Sequence, residues 1–311
     1  MKALISIAVL GLLAGPAMAA ELPGWAYPVA PPPGPPADNT VQKTLPGSAK
    51  KYTAAQINDR FGPPDWYPED HPAMPDVVAS GKKPNALACS LCHLTNGAGH
   101  PESAGVAGLP VGYIMRQMAE FKAGTRKGMR APIMVQIASA LTEEETKAAA
   151  EYFASMKFPQ FYKVVEADMV PKSYVGAGAM RLAVANGGNE PIGNRIIELP
   201  LDEERTEARD PRAIHVAYVP TGSIKKGEAI VTTGAGGKTI MCAICHGPEL
   251  KGLGDVPAIV GRSPEYIYRQ LNDIKIGTRN GAWVPLMKAV VANLTDEDMV
   301  AVSAYLVSKA P

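Results

Sequence analysis

The chain has 311 residues, more than a single hydrophobic core usually serves, so two domains are the first expectation. Its 31 Lys and Arg against 30 Asp and Glu leave a net charge of +1, which excludes a strongly basic nucleic-acid surface and an acidic solvating tail. Aromatic residues make up 6% of the chain, beside 30 glycines and 29 prolines. That composition describes small cores and much irregular chain, with something else needed to fill the interior.

Residues 1–20 read as an export signal: Lys2 gives the positive start, Ala3 to Leu13 the apolar run, and Ala17-Met18-Ala19 the small residues of a cleavage site. The apolar run is shorter than the roughly 20 residues of a spanning helix, and no later stretch is apolar enough to span. The mature chain is therefore expected to be exported and soluble, without a transmembrane segment. Residues 21–70 form an extension that opens on Pro28-Val29-Ala30-Pro31-Pro32-Pro33, suited to an exposed polyproline conformation. Further on, Tyr52 to Pro68 mixes aromatics with prolines and is suited to pack on the next domain.

All four cysteines then fall in two pentapeptides, CSLCH from Cys89 to His93 and CAICH from Cys242 to His246. In an oxidising compartment two disulfides are one reading, and a tetrahedral zinc site built from both pairs is another. A Cys-x-x-Cys disulfide is the redox-active kind, and no thioredoxin-like βαβ pattern surrounds these pairs. Neither reading uses the histidine that follows each pair. Cys-x-x-Cys-His is the attachment signal for c-type haem, in which Cys89, Cys92, Cys242 and Cys245 bond the vinyl groups and His93 and His246 ligate iron.

The motifs lie 153 residues apart, from Cys89 to Cys242, and the same offset persists without a gap. Gly99 matches Gly252, Gly108 matches Gly261, Tyr113 matches Tyr266, Gly124-Thr125-Arg126 matches Gly277-Thr278-Arg279, and Tyr152 matches Tyr305. This is a tandem duplication of helical units rather than a solenoid. Short helices at Val77–Ser80 and Lys226–Thr232 precede the motifs, Tyr266 to Ile276 has helical period, and Thr142 with Glu145 reads as a capping box. Thr295 with Asp298 is a weaker version. Domain one spans 71–158 and domain two 222–311. Between them, 159–221 holds two β-branched runs, Arg195–Leu199 and Ile214–Val219, suited to pair as a ribbon, and the densely charged Leu201 to Arg212, read as solvent-facing.

The duplication also selects a sixth ligand. Among the methionines that follow each motif, only Met134 and Met287 occupy the same position in both copies, each two residues after a proline. Proline suggests a stiff, extended loop presenting sulfur to iron; core packing is the ordinary alternative. His71, His100 and His215 read as surface residues. Arg116, Arg126, Arg269 and Arg279 recur in pairs and are candidates for haem propionates, with helix-face or helix–helix contacts as the alternative. Trp283 is suited to pack on the second haem.

These features resemble the class I cytochromes c in tandem dihaem form, similar to the cytochrome c4 family. The resemblance rests on the two motifs, Met134, Met287, and the segments YIMRQMAEFKAGTR and YIYRQLNDIKIGTR. It implies an all-α fold per domain, two covalent haems, terminal helices packed at Tyr152 and Tyr305, and a periplasmic home. It also implies a soluble carrier passing single electrons from a periplasmic or membrane-bound dehydrogenase to an oxidase or another cytochrome. Iron closed by His and Met suits a carrier and not an enzyme. The rivals are a peroxidase-like or thiosulfate-oxidising dihaem enzyme, and the bound cytochrome subunit of a dehydrogenase complex. The N-terminal extension and the long inter-repeat segment depart from the family, which puts its two-fold packing in question.

Overall fold

A computed structural model describes residues 22–32, 34 and 38–311. The export signal lies outside the described residues.

Each repeat is a set of short helices. In the first, the motif helix Cys89–His93 is followed by Val111–Lys122, Ala131–Ala140 and Glu143–Ala154. In the second, Ser223–Thr233 leads to Ala243–His246, Pro264–Ile276, Val284–Val291 and Asp296–Ser308. Local chemistry sets the ends. Thr142 and Thr295 each accept a hydrogen bond from the backbone of the third helical residue, whose carboxylate returns the bond, so both capping boxes are complete. The aspartate version is reinforced: Asp298 also takes Lys226 at 3.3 Å and Lys238. Burial raises the proton affinity of Asp298, but the bonds from Lys238, Thr295 and Lys226 outweigh it and hold the carboxyl far below the usual range. Proline in the first turn opens Ala131–Ala140, Pro264–Ile276 and Val284–Val291, where its missing N–H costs nothing.

The two repeats bury separate cores. Val77, Val78, Ile137, Leu141, Tyr152 and Phe153 form one, and Ile230, Tyr268, Leu271, Met299, Val300 and Leu306 belong to the other. Corresponding bonds close the terminal helices onto the loops beneath: Gly108 donates to Phe153 O and Gly261 to Leu306 O.

The expected ribbon exists, with Ile197–Pro200 antiparallel to His215–Val219. A third strand, Tyr162–Glu166, joins it in parallel with Tyr162 opposite His215. The charged stretch after the first ribbon strand is not wholly solvent-facing. Asp210 and Thr206 are buried, and Arg209 reaches back to the first repeat. The N-terminal extension docks there as well: Trp66 and Tyr67 are buried with Leu45, Ile57 and Ala208, and Trp66 Nε1 donates to Ala208 O at 2.7 Å.

The long insertions do not abolish two-fold packing. Arg126 donates to Gln117 at 2.9 Å, Tyr266 at 2.9 Å and Gln270 at 3.1 Å. Arg279 makes the mirror set, to Gln270 at 3.0 Å, Tyr113 at 3.1 Å and Gln117 at 2.9 Å. Backbone bonds from Lys127 to Thr278 O and from Asn280 to Thr125 O complete the seam. Residues at the same repeat position therefore meet across a local two-fold axis.

Candidate redox centres

In each motif helix the histidine turns Nδ1 toward a backbone carbonyl at the same repeat position. His93 Nδ1 lies 2.8 Å from Ala104 O, and His246 Nδ1 lies 2.8 Å from Pro257 O. A carbonyl can only accept, so Nδ1 carries the proton and Nε2 is the nitrogen left for a metal. A tight loop holds each carbonyl in place: Gly99 N donates to His93 O at 3.0 Å and Gly252 N to His246 O at 2.8 Å. Both glycines have left-handed φ, +75° and +95°, and a Cβ on Gly99 would stand 2.5 Å from Ala104 O. Only glycine fits there.

The first centre is a cavity of about 290 Å³ lined by Cys89, Cys92, His93 and Met134, with apolar walls that include Ile133 and Phe153. Two thiols and an imidazole share an apolar, slot-lined space with a thioether, a donor set that fits a covalently attached haem and its iron. Burial pushes the Cys89 thiol up to about 12 and the Cys242 thiol up to about 11, so both rest as neutral thiols. All four cysteines are free, and among the described residues no group of three His, Cys, Asp or Glu converges as a shared zinc site would require.

Met134 and Met287 stand in the first turns of the helices Ala131–Ala140 and Val284–Val291, not in extended loops. The proline two residues earlier starts a helix rather than stiffening a strand-like approach. Met134 lines the first cavity, and Met287 and Cys242 both pack, partly buried, against the core of the second repeat.

The paired arginines divide. Arg126 and Arg269 line the first cavity, whereas Arg126 and Arg279 also tie the two repeats together. Arg269 donates to Ala26 O at 3.0 Å and to Pro101 O. Arg116 pairs with Asp255 at 3.1 Å, its guanidinium 3.7 Å from the centre of the Trp283 ring. One face of Trp283 is thus taken by a cation of the other repeat.

The surface reading of the histidines fails. His100 lines the first cavity, buried, with neither ring nitrogen paired, and burial pushes it down to about 3. His215 is fully buried in the sheet and likewise held at about 3, first by burial and then by the charge of His100. His71 bonds Asp65 at 3.0 Å, which raises its proton affinity. A single polar residue in a loop carries no sequence signal of the segments that will later cover it.

Covering is where the centres differ. Arg209, in a left-handed conformation, donates to Leu91 O inside the CSLCH motif at 2.7 Å, to Ile57 O at 2.9 Å and to Asn58 at 3.3 Å. Ala88 N donates to Arg60 O. The extension and the inter-repeat segment thereby close over the first motif. Leu91 is 7% exposed and its counterpart Ile244 59%; Ala88 is 1% exposed and its counterpart Met241 41%. Replacing Arg209 with alanine strips partners from two carbonyls and is expected to cost about 1–3 kcal/mol, measurable as a lower unfolding midpoint.

Comparison with known proteins agrees with this geometry. Residues 224–306 match the family model described as cytochrome C oxidase, cbb3-type, subunit III. A thiosulfate dehydrogenase electron acceptor from Stutzerimonas stutzeri (strain A1501) is 27% identical over 231 residues, covering 72% of this chain and 80% of that protein. A cytochrome c4 from Pseudomonas aeruginosa is 24% identical over 238 residues, 75% of this chain and 89% of that one. The thiosulfate dehydrogenase (TsdBA) structure from Marichromatium purpuratum shares the fold with a TM-score of 0.50 at 22% identity, over 73% of this chain and 38% of that larger chain. No helix among the described residues is long and apolar enough to cross a membrane. The chain belongs to the c-type cytochromes, as a dihaem electron-transfer protein similar to cytochrome c4.

Proposed function

We propose that Cys89, Cys92 and His93 with Met134, and Cys242, Cys245 and His246 with Met287, hold two haems as closed electron-carrying centres in a periplasmic, non-catalytic carrier. The observation that carries this is positional. Only these methionines recur at one repeat position, and one of them lines the same cavity as the first motif's thiols and imidazole. Bound haem would supply a one-electron couple, and a thioether among its ligands would favour the reduced state. The chain's own contribution is to fix each imidazole by its Nδ1 bond, keep water from the apolar walls, and limit movement of the ligands between oxidation states. Arg126 and Arg279 clamp the two centres at a constant separation, so an electron can cross the seam without domain motion.

The donor is proposed to be a periplasmic dehydrogenase of the thiosulfate-oxidising type, as the name of the Stutzerimonas relative suggests, and the acceptor an oxidase or another cytochrome. Mixing the oxidised carrier with such a dehydrogenase and thiosulfate tests this: rapid reduction of both haems supports it, and no reduction rejects the donor. Thiosulfate consumption by the carrier alone would reject the non-catalytic reading.

On the second repeat the exposed apolar side chains include Met241 and Ile244 at the motif, Leu253 after it, and Leu286 beside Met287. Partners are proposed to exchange electrons there rather than at the covered first motif. Ile244→Lys is expected to slow bimolecular electron exchange about tenfold, equivalent to about 1.4 kcal/mol of lost encounter-complex affinity, with both potentials unchanged. Stopped-flow kinetics against potentiometry checks it.

A further inference from the structure

Behind the first centre, the sheet and the start of the helix Pro264–Ile276 bury two carboxylates against each other. Glu198 is 1% exposed and Glu265 3%. Glu198 Oε1 accepts from Glu265 N and from Ser263 Oγ, both at 2.7 Å, and Glu265 Oε1 accepts in return from Glu198 N at 3.3 Å. The second oxygen of Glu198 is buried with no partner.

The charges facing this pair are few. Arg269 stands 3.7 Å from Glu265, one helical turn away, and Arg181, on the strand Arg181–Ala183 that pairs with Ser173–Val175, acts on it too, its Nε unpaired. Glu102, whose Oε2 is buried without a partner, and the Tyr162 phenol also act on the pair. Two carboxylates so close, in an interior this dry, cannot both ionise cheaply. Burial first, and then the charge of Glu265, pushes Glu198 up to about 8; burial pushes Glu265 up to about 7. Both carboxyls of the pair are thus held protonated above the ordinary carboxylate range. Arg269 links it to the first centre, because the same side chain lines that cavity together with Glu102.

We propose that Glu198 and Glu265 are a proton-accepting pair coupled through Arg269 to the first redox centre. As one electron arrives there from the donor, the pair takes one proton from solvent, and it returns that proton when the electron leaves. Charge balances in both directions. A negative charge added beside Arg269 weakens the guanidinium's hold on the carboxylates and raises their proton affinity. The proposal rests on the haem assignment above only in placing an iron in the first cavity.

The test is a redox titration of the haem-loaded protein across the neutral pH range, taking the step that Met134→Ala shifts as that of the first centre. In the native protein that potential falls as pH rises, approaching one proton per electron, and Glu198→Gln and Glu265→Gln each flatten it. The reduced-minus-oxidised infrared spectrum gains a protonated-carboxyl carbonyl band that both variants lose. A pH-independent first potential, a slope surviving both substitutions, or no change in the carboxyl band overturns the proposal. If a variant does not fold, the infrared band of the native protein decides.

A haem-independent readout separates this proposal from the ligand assignment. Both folded-state affinities lie above the ordinary carboxylate value, so the pair's contribution to stability is complete below the ordinary carboxylate range, falls steadily as pH rises from there, and is gone once pH has passed the folded values of about 7 and about 8. If that stability profile appears but the spectra show neither methionine bound, the ligand assignment fails and the pair stands. If the profile appears with a flat potential, the coupling fails.

Discussion

Met287→Ala is expected to leave the second haem covalently attached while its iron loses its sixth ligand. Cys242, Cys245 and His246 are untouched by the change, and the His246–Pro257 bond still fixes the imidazole. What disappears is the thioether, from the first turn of a helix at the protein surface, where the adjacent Leu286 is 70% exposed. Water can enter there. On the proposed ligation the thioether favours the reduced iron, so the potential of this centre should fall by on the order of 0.1 V, a modest part of the roughly 0.8 V that axial ligands span. The reduced variant should also bind carbon monoxide at one haem per chain, where the native protein binds none. Electron exchange through this centre should slow, because a ligand must then move with each change of oxidation state. Potentiometry and carbon monoxide titration check these outcomes. An unchanged potential would mean that Met287 is a packing residue.

Gly227→Ala should be the most destabilising small substitution in the second repeat. Ordinarily alanine improves a helix interior over glycine by about 1 kcal/mol. Here a Cβ would stand 1.9 Å from Ala301 O and 2.8 Å from Tyr305 Cβ, because the helices Ser223–Thr233 and Asp296–Ser308 cross at this point. The obstacle is backbone, which cannot swing aside, so the helices must separate along a buried face that includes Ile230, Ala301 and Tyr305. Overpacking against side chains typically costs about 1–3 kcal/mol, and a clash with backbone exceeds that range. The steric loss outweighs the propensity gain, for a net destabilisation of at least about 2 kcal/mol. Thermal unfolding followed at the second haem reads it directly. The first repeat has Met74 at the corresponding position and should unfold unchanged; a raised midpoint for the variant would contradict the packing.

Features governed by nearby residues were legible from sequence. The two motifs and the Thr142–Glu145 cap each depend on residues a few positions apart, and the structure forms a short helix at each motif and a complete capping box; the repeat needs only a comparison of the chain with itself. Errors arose where distant chain decides the environment. Pro132 and Pro285 locally suggest loops, yet proline is equally at home in a helix's first turn, and helices form there. The strand Tyr162–Glu166 pairs in parallel with a partner more than fifty residues on, which no local pattern announces. Arg209 looked like one charge in a solvated run, but its left-handed backbone sends it into the first motif. The burial of His100 and Glu198 follows from that same late assembly of segments.

The far-red absorption band of the oxidised protein, which iron–methionine coordination produces, tests the central claim most directly. Two closed centres predict the amplitude of two such bonds per chain, half of it in Met134→Ala or Met287→Ala, and none in the double variant. A native amplitude of one bond or none, or an amplitude that survives both substitutions, would contradict an iron held between histidine and methionine in each repeat.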